Sequence, residues 1–455
     1  MSARAELLQE LRSGLEQGFC LDWHADGMSR GWPGSALFSW AVRLRQHWHR
    51  RLLPRSRIAV NLPNSPAYIT HWLAAWLGDW VFCPLPALPE AEERRRLELL
   101  APALILRWRA GKIEEQWNDE APKQADPDDL ASIYWSSASS GPGSAYGLTF
   151  SALRWQWHQH AEALGLGRQS LIRNTLPWSH VFAGVLELLP AVLAGAEIRV
   201  APLTELRHEE FSQLCTIPRI AAWLNDAQLR RLASGIVGGA AIPASLAERL
   251  QGSRLRVGYG QTEAGPGVTL GEAGNFSAGY IGFPLSQVEV RVADTLQYRS
   301  PGQVYGRWNG ELWETLTDAE GWVDSGDRVM ANPAGDFAWL GRDDSTFKLA
   351  NGESVIQPEM EELRLQAIYP TLNELVLGAP GQRQLAVLAA APLEEWRPLQ
   401  WRWRERYPLF LLPPAQWESW RGVSGKTRRG ELYAHWTEIV GQAWQIGGVR
   451  RWNTR

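Results

Sequence analysis

Short apolar runs alternate with helix-like stretches through the first third of the chain, and few folds accommodate that order. Ile58-Ala59-Val60-Asn61-Leu62 has the length and apolarity of a buried strand. Ser65 is placed to cap a helix with Pro66 at its first position, running to about Leu77. Val81-Phe82-Cys83 begins a second strand, Pro89 to Leu100 reads as a charged surface helix, and Ala103-Leu104-Ile105-Leu106 as a third strand. Strands separated by helices pair in parallel, so the pattern predicts an α/β domain. An acidic, helix-poor stretch from Glu114 to Asp129 leads into a further strand, Ser132-Ile133-Tyr134-Trp135.

The pattern resumes with a helix from Ser151 to Leu164, an apolar helix from Phe182 to Leu193 and a strand at Ile198-Arg199-Val200. After Gly282 the texture changes to short alternating segments such as Val288-Glu289-Val290-Arg291-Val292, broken by Gly and Pro, which predicts a small antiparallel β subdomain. From about Asp344 the sequence reads as a compact α+β unit. The expected organisation is a large N-terminal domain of α/β layers with that β subdomain, residues 1–343, and a mobile α+β C-terminal lid, residues 344–455.

A chain of 455 residues favours two domains over one core. A net charge of −3 gives no reason to expect nucleic acid or an anionic membrane as partner. Cys20, Cys83 and Cys215 are scattered without metal-ligand spacing, as suits a reducing cytoplasm. The first 18 residues read as an amphipathic surface helix and no run of about 18 apolar residues occurs, so no membrane span is expected. Many of the 26 tryptophans, Trp72, Trp76 and Trp80 among them, fall where core residues belong and are read as packing.

Several segments carry chemistry. Trp135-Ser136-Ser137-Ala138-Ser139-Ser140-Gly141-Pro142-Gly143-Ser144 follows a strand and is dense in hydroxyls and small residues, so its N–H groups and serines can wrap a polyphosphate. Gly238-Gly239-Ala240-Ala241 ends the strand Gly235-Ile236-Val237, where small residues let a flat ring lie against backbone; a tight turn explains them equally well. Pro177-Trp178-Ser179-His180-Val181-Phe182 opens the apolar helix. Gly258-Tyr259-Gly260-Gln261-Thr262-Glu263 is followed, in order, by Asp324-Ser325-Gly326-Asp327, by Gly341-Arg342-Asp343-Asp344 with Lys348 and Gly352, and by Ser424-Gly425-Lys426-Thr427.

Any one of these segments alone is a weak signal, but the ordered set resembles the adenylate-forming (AMP-binding) superfamily of acyl- and aryl-CoA synthetases, adenylation domains and luciferases, over about Arg57 to Leu432. The resemblance implies ATP and Mg²⁺ as cofactors and a carboxylic acid as substrate. It makes Ser136, Ser137, Ser139, Ser140 and Gly141 the phosphate loop, and Gly239, Ala240, Ala241, Tyr259, Gly260 and Gln261 the adenine side of the nucleotide site. Thr262 would donate to a phosphate, Glu263 would hold Mg²⁺, and Asp327 and Arg342 would bind the ribose. His180 would border the substrate carboxylate, with Trp178, Phe182 and Gly238 around the acyl group. Asp344 would be the hinge and Lys426 the catalytic lysine of the lid. One departure stands out: Ala138 and Ser144 fall where the family carries glycine and lysine, and no lysine occurs between Lys123 and Lys348.

The reading is therefore an AMP-forming acid–thiol ligase. It would make an acyl-adenylate from an aryl or short unsaturated acid and pass the acyl group to the phosphopantetheine thiol of CoA or an acyl-carrier protein, as a stand-alone enzyme. Two rivals remain at this point: a non-catalytic nucleotide- or partner-binding relative with a degenerate phosphate loop, and an adenylating enzyme that transfers to an amine or oxygen.

Overall fold

The computed structural model describes residues 1–25, 27–122, 126–136, 143–355, 358–372, 374–421 and 427–446. The predicted alternation builds an eight-stranded sheet. Its middle strands, Leu130–Trp135, Val81–Pro84, Arg57–Asn61 and Leu104–Arg109, run parallel. Ser65 caps the helix Pro66–Leu77 as expected, its side chain accepting from the Tyr68 N–H at 3.2 Å.

One edge of this sheet was not read from sequence. Overlapping the start of the acidic stretch, Lys112–Trp117 pairs antiparallel with Leu104–Arg109. The turn between them places Ala110 (φ 48°) and Gly111 (φ 77°) both at positive φ. Tight hairpin turns of this kind normally advertise themselves with Asn-Gly or Asp-Gly, and Ala-Gly does not.

A second sheet has eleven strands. Cys20–Ala25, Glu197–Val200, Leu171–Arg173, Gln213–Thr216, Ser234–Gly238 and Leu255–Gly260 pair in parallel. Antiparallel strands Gly267–Leu270, Tyr280–Pro284, Phe337–Arg342 and Asp327–Ala331 extend it. The short alternating segments after Gly282 are distributed by their pairing. Glu289–Val292, Leu296–Arg299 and Val323–Asp324 form a small antiparallel sheet of their own, whereas Gly306–Trp308 joins the eight-stranded sheet beside Ala145–Thr149.

One continuous core links the two large sheets. The helix Ala3–Gln17 contributes Leu7, Leu11 and Leu15, and Phe150–Leu164 contributes Phe150 and Leu153. Trp72, Trp76 and Trp80 are buried in it, the first two with ring centroids 4.8 Å apart, in accord with their reading as packing residues. The apolar helix begins at Val181 and widens to a π-turn over Gly184–Leu188 before continuing to Ala194. No described helix is long and apolar enough to cross a membrane.

The C-terminal part builds a separate sheet from Glu374–Leu377, Val387–Ala390, Leu409–Leu412 and Trp444–Ile446. Its strands alternate cleanly. Leu375, Leu377, Leu409 and Leu411 enter one core, and Val376, Leu388, Phe410 and Leu412 the other. The helix Pro358–Ile368 packs both on Ala244–Leu250 and on the strand Phe337–Arg342, which brings this unit against the eleven-stranded sheet.

Arg57 and Asp126 form a fully buried ion pair within the eight-stranded layer: Nε donates to Oδ2 at 2.9 Å and Nη2 to Oδ1 at 2.5 Å. Trp313 Nε1 adds a bond to the same carboxylate at 2.9 Å, and the Trp308 ring lies 4.1 Å from the guanidinium. Removing one partner strands the other charge, so Asp126→Ala is expected to cost about 3–5 kcal/mol in urea unfolding. The double replacement Arg57→Met/Asp126→Leu should recover most of that loss, because it leaves neither charge behind.

Candidate active site

The parallel strands of the eleven-stranded sheet end together, and a cleft of about 1580 Å³ opens there, walled by both parts of the chain. Strand ends gather ligands in open α/β sheets because the loops beyond them diverge and leave their N–H groups free. Ser234–Gly238 runs out into Gly239-Ala240-Ala241, and Leu255–Gly260 into Gln261 and a 3-10 turn, Thr262–Ala264; all these residues except Ala264 line the cleft, as does Gly238.

The glycines here answer to close approach. A Cβ on Gly238 would lie 2.4 Å from the Gly258 carbonyl oxygen, and one on Gly260 would lie 1.7 Å from that of Pro266. The tight packing of strands therefore accounts for Gly238 without any ligand.

Tyr259 lines the cleft, but its hydroxyl is already committed, donating to Asp327 Oδ2 at 2.6 Å. Burial, and then the Asp327 carboxylate, push that phenol well above its ordinary range. Trp339 Nε1 donates to the other oxygen, Oδ1, at 2.9 Å, so Asp327 is held at both ends and aimed by its neighbours. Arg342 donates through Nε and Nη2 to Asp344 at 3.1 and 3.2 Å, and through Nη1 to the Ser325 carbonyl at 3.0 Å. Its distance to Asp327 is 3.8 Å. The ribose-binding pair and the hinge residue expected from sequence thus adjoin one another at the cleft.

Glu263 faces the cleft near Ser136 and Ser144. Ser136 and Ser144 close the neck of the serine loop through Ser136 N–H to Ser144 O at 2.9 Å and Ser144 N–H to Ser136 Oγ at 3.0 Å. Tyr146, on the strand leaving that loop, lies beside Glu263; burial, and then Glu263, raise its phenol. Of the expected substrate-pocket residues, His180 and Phe182 line the cleft, together with Leu176, Pro177, Val181 and Leu186. Trp178 does not. It is fully buried behind that wall, its indole N–H donating to Glu187 Oε1 at 3.1 Å, so it cannot narrow the pocket by contact.

From the C-terminal part, Arg421 and Thr427 pair across an antiparallel bridge and line the cleft, as do Glu362 and Arg429. Arg429 is forked onto Glu362, with Nη1 to Oε1 at 2.9 Å and Nη2 to Oε2. Arg219 and Glu418 join the two parts at 2.7 Å. Five expected site residues, Ser137, Ser139, Ser140, Gly141 and Lys426, lie outside the described residues.

Residues 99–314 match the family model described as AMP-binding enzyme. The chain is 26% identical over 392 residues to the feruloyl-CoA synthase of an Amycolatopsis species, covering 75% of this chain and 77% of that protein. It is 35% identical over 175 residues to 2-succinylbenzoate–CoA ligase of Escherichia coli K12, covering 35% and 37%. The fold matches ATP-bound MatB from Rhodopseudomonas palustris at 17% identity with a TM-score of 0.77, over 97% of this chain and all of that one. It matches E. coli MenE with bound OSB-AMS at 20% identity and 0.73, over 94% and 98%.

Residues 99–314 of the chain are thus an AMP-binding enzyme domain.

The sequence reading missed four side chains that touch the site: Tyr146 beside Glu263, Trp339 on Asp327, and the Arg429–Glu362 fork. It also missed Arg96, which is buried below the neck of the serine loop. A Cβ on Gly143 would lie 3.1 Å from Arg96 Nη2, which also donates to Glu92 at 2.5 Å. None had a local signal at the motif it serves, since Tyr146, Trp339 and the Arg429–Glu362 fork, and Arg96 beside Gly143, all come to their places from other elements of the chain. The strand contact at Gly260 is the most demanding of these geometries. Gly260→Ala is expected to force Leu255–Gly260 and Gly267–Leu270 apart, at a cost of about 1–3 kcal/mol or more, read as a lowered melting temperature together with loss of nucleotide binding.

Proposed function

We propose that this enzyme activates a carboxylic acid with Mg·ATP as an acyl-adenylate, releasing pyrophosphate, and then passes the acyl group to the phosphopantetheine thiol of CoA. One observation carries the reading: a single cleft holds Thr262 and Glu263 at a strand end, the preset Asp327 carboxylate, and an apolar wall beside His180. The curated relatives support it, because their names, feruloyl-CoA synthase and 2-succinylbenzoate–CoA ligase, both describe a CoA thioester.

The first step must bring two anions together. The neck serines Ser136 and Ser144 offer hydroxyls to phosphate oxygens where the family would place a lysine, and Thr262 adds another. Glu263 fits a hard cation: it is a carboxylate in a cleft, beside Tyr146, and among the described residues it makes no ion pair. Mg²⁺ held there would supply charge neutralisation at phosphate oxygens. Tyr259 and the Gly239–Ala241 turn offer a face and backbone to the adenine, and Asp327, fixed by Tyr259 and Trp339, accepts from the ribose hydroxyls. His180 lines the cleft next to the acyl wall, where it would meet the carboxylate. The wall of Leu176, Pro177, Val181, Phe182 and Leu186, with Trp223 also lining the cleft, favours a flat aryl or slim unsaturated acid.

We place the domain boundary at the hinge, with 1–343 as the N-terminal domain and 344–455 as the lid. Asp344 is clasped by Arg342 in this arrangement, and rotation about it would exchange the adenylating face of the lid for the thiol-transfer face. Lys426, between the cleft-lining residues Arg421 and Thr427, would bridge the acid and the α-phosphate in the first pose alone. Loss of one preorganised donor costs about 10²–10³ in rate. Lys426→Ala should therefore lose AMP formation from ATP and acid by about that factor, while converting a chemically made acyl-adenylate plus CoA at close to the wild-type rate. Equal loss of both reactions, or of neither, would remove Lys426 from the mechanism. Running the wild type across aryl and alkyl acids, with CoA and with a carrier protein as acceptor, assigns the substrate class and the thiol.

A further inference from the structure

The acyl wall is backed by a carboxyl group that the proposed chemistry does not use. Glu187 lies in the π-turn Gly184–Leu188 and is 1% exposed. Its Oε1 accepts from Asn174 Nδ2 at 2.5 Å and from Trp178 Nε1 at 3.1 Å, and its Oε2 is buried with no hydrogen-bond partner among the described residues. Asn174 and Trp178 are in turn bound to Asn64, which donates to Asn174 Oδ1 at 2.8 Å and accepts from the Trp178 N–H at 2.9 Å. This polar cluster holds the segment from Asn174 to Trp178. The front of that segment, Thr175, Leu176 and Pro177, lines the cleft, and His180 follows two residues later.

The groups facing Glu187 are few. Arg173 is the nearest cation, but its donors are engaged by Glu209, the Asn174 carbonyl, and the Ala201 and Pro202 carbonyls. Cys215, whose thiol donates to the Leu186 carbonyl at 3.5 Å, is held un-ionised by burial, and further by Glu187 only when that carboxyl is charged. Tyr134 stands against Gly184 and Tyr68 donates to the Trp178 carbonyl at 2.9 Å; burial raises both phenols. Among the described residues no cation forms an ion pair with the carboxyl group, and an unpaired charge at such a site is strongly disfavoured.

We propose that Glu187, as a neutral carboxylic acid, is a positioning residue for acid binding: it fixes Asn174 and Trp178 and so sets the Thr175–His180 wall of the acyl pocket. This rests on the acid-activating reading given above. Burial, opposed by the bonds from Asn174 and Trp178 and by Arg173, moves the Glu187 carboxyl up to about 8 from an ordinary 4.5. Between those values the folded protein holds a proton that the unfolded chain has lost. Raising the pH across that window therefore lowers stability, and the decline levels off above about 8, where the folded state ionises as well.

The test is KM for the acid, KM for ATP, kcat and melting temperature from pH 6.5 to 9.5 in three proteins. In the wild type, KM for the acid should rise above pH 8, with KM for ATP flat. Glu187→Gln, a neutral isostere that keeps an acceptor oxygen, should match the wild type near pH 7 and lose both the alkaline rise and the decline of melting temperature with pH. Glu187→Ala should raise KM for the acid about tenfold at every pH, because two buried donors lose their acceptor. The proposal is overturned if Glu187→Gln keeps the alkaline rise, or if Glu187→Ala binds the acid as the wild type does. If Glu187→Ala fails to fold, the Gln variant alone decides. Should the wild type form no AMP with any acid, the functional reading falls; identical pH dependence of melting in the wild type and Glu187→Gln would then separately remove the neutral acid.

Discussion

Two neighbouring parallel strands, Ser234–Gly238 and Leu255–Gly260, meet with no room for a side chain between Gly238 and the Gly258 carbonyl, and the cleft depends on that contact. Gly238 ends its strand opposite Gly258, two residues short of the end of the other, and the turns at Gly239–Ala241 and Thr262–Ala264 open into the same cleft. Gly260 then lets Pro266 approach, which returns the chain as Gly267–Leu270 and starts the antiparallel extension of the sheet. That extension ends in Phe337–Arg342 paired with Asp327–Ala331, which delivers Asp327 to the Tyr259 hydroxyl. A packing constraint among glycines therefore places a carboxylate 68 residues away.

Charge is the second organising factor. The arginines at the cleft are largely committed to protein partners: Arg342 to Asp344, Arg429 to Glu362, Arg219 to Glu418. On the proposed reading, polyphosphate is then met by hydroxyls and N–H groups, by a divalent cation at Glu263, and by Lys426 when the lid presents it. Committed arginines cost little reorganisation when substrate arrives, and preorganised dipoles in a water-poor site act more strongly than mobile charges in water. On that same reading the Arg342–Asp344 pair would link nucleotide and hinge, since any group that draws Arg342 toward the ribose would loosen its hold on Asp344.

The elements legible in the sequence were those whose signals are local. Ser65 with Pro66 announced a helix start, and Ile58 to Leu62 announced a buried strand by apolarity alone. The order of the motifs placed Tyr259, Thr262, Glu263, Asp327 and Arg342 in one site before any geometry was available. Contacts between distant segments were illegible. Trp178 looks like a pocket residue next to His180 in sequence, yet its indole turns away because Glu187, nine residues on, is brought round by a helix widened over Gly184–Leu188. Nothing in the run Gly184-Val185-Leu186-Glu187-Leu188 announces that wide turn, and a buried acid within it reads as an exposed one. Lys112–Trp117 was missed because its turn relies on an alanine at positive φ.

The central claim is that the cleft couples ATP to a carboxylic acid through an adenylate before any thiol takes part. Exchange of radiolabelled pyrophosphate into ATP, measured with Mg²⁺ and no CoA, isolates that half-reaction. The expected result is exchange that depends strictly on an added acid, is strongest for flat aryl or slim unsaturated acids, and disappears when Mg²⁺ is chelated. Absence of exchange with every acid at saturating ATP, or release of ADP and phosphate in place of AMP and pyrophosphate, would contradict the account.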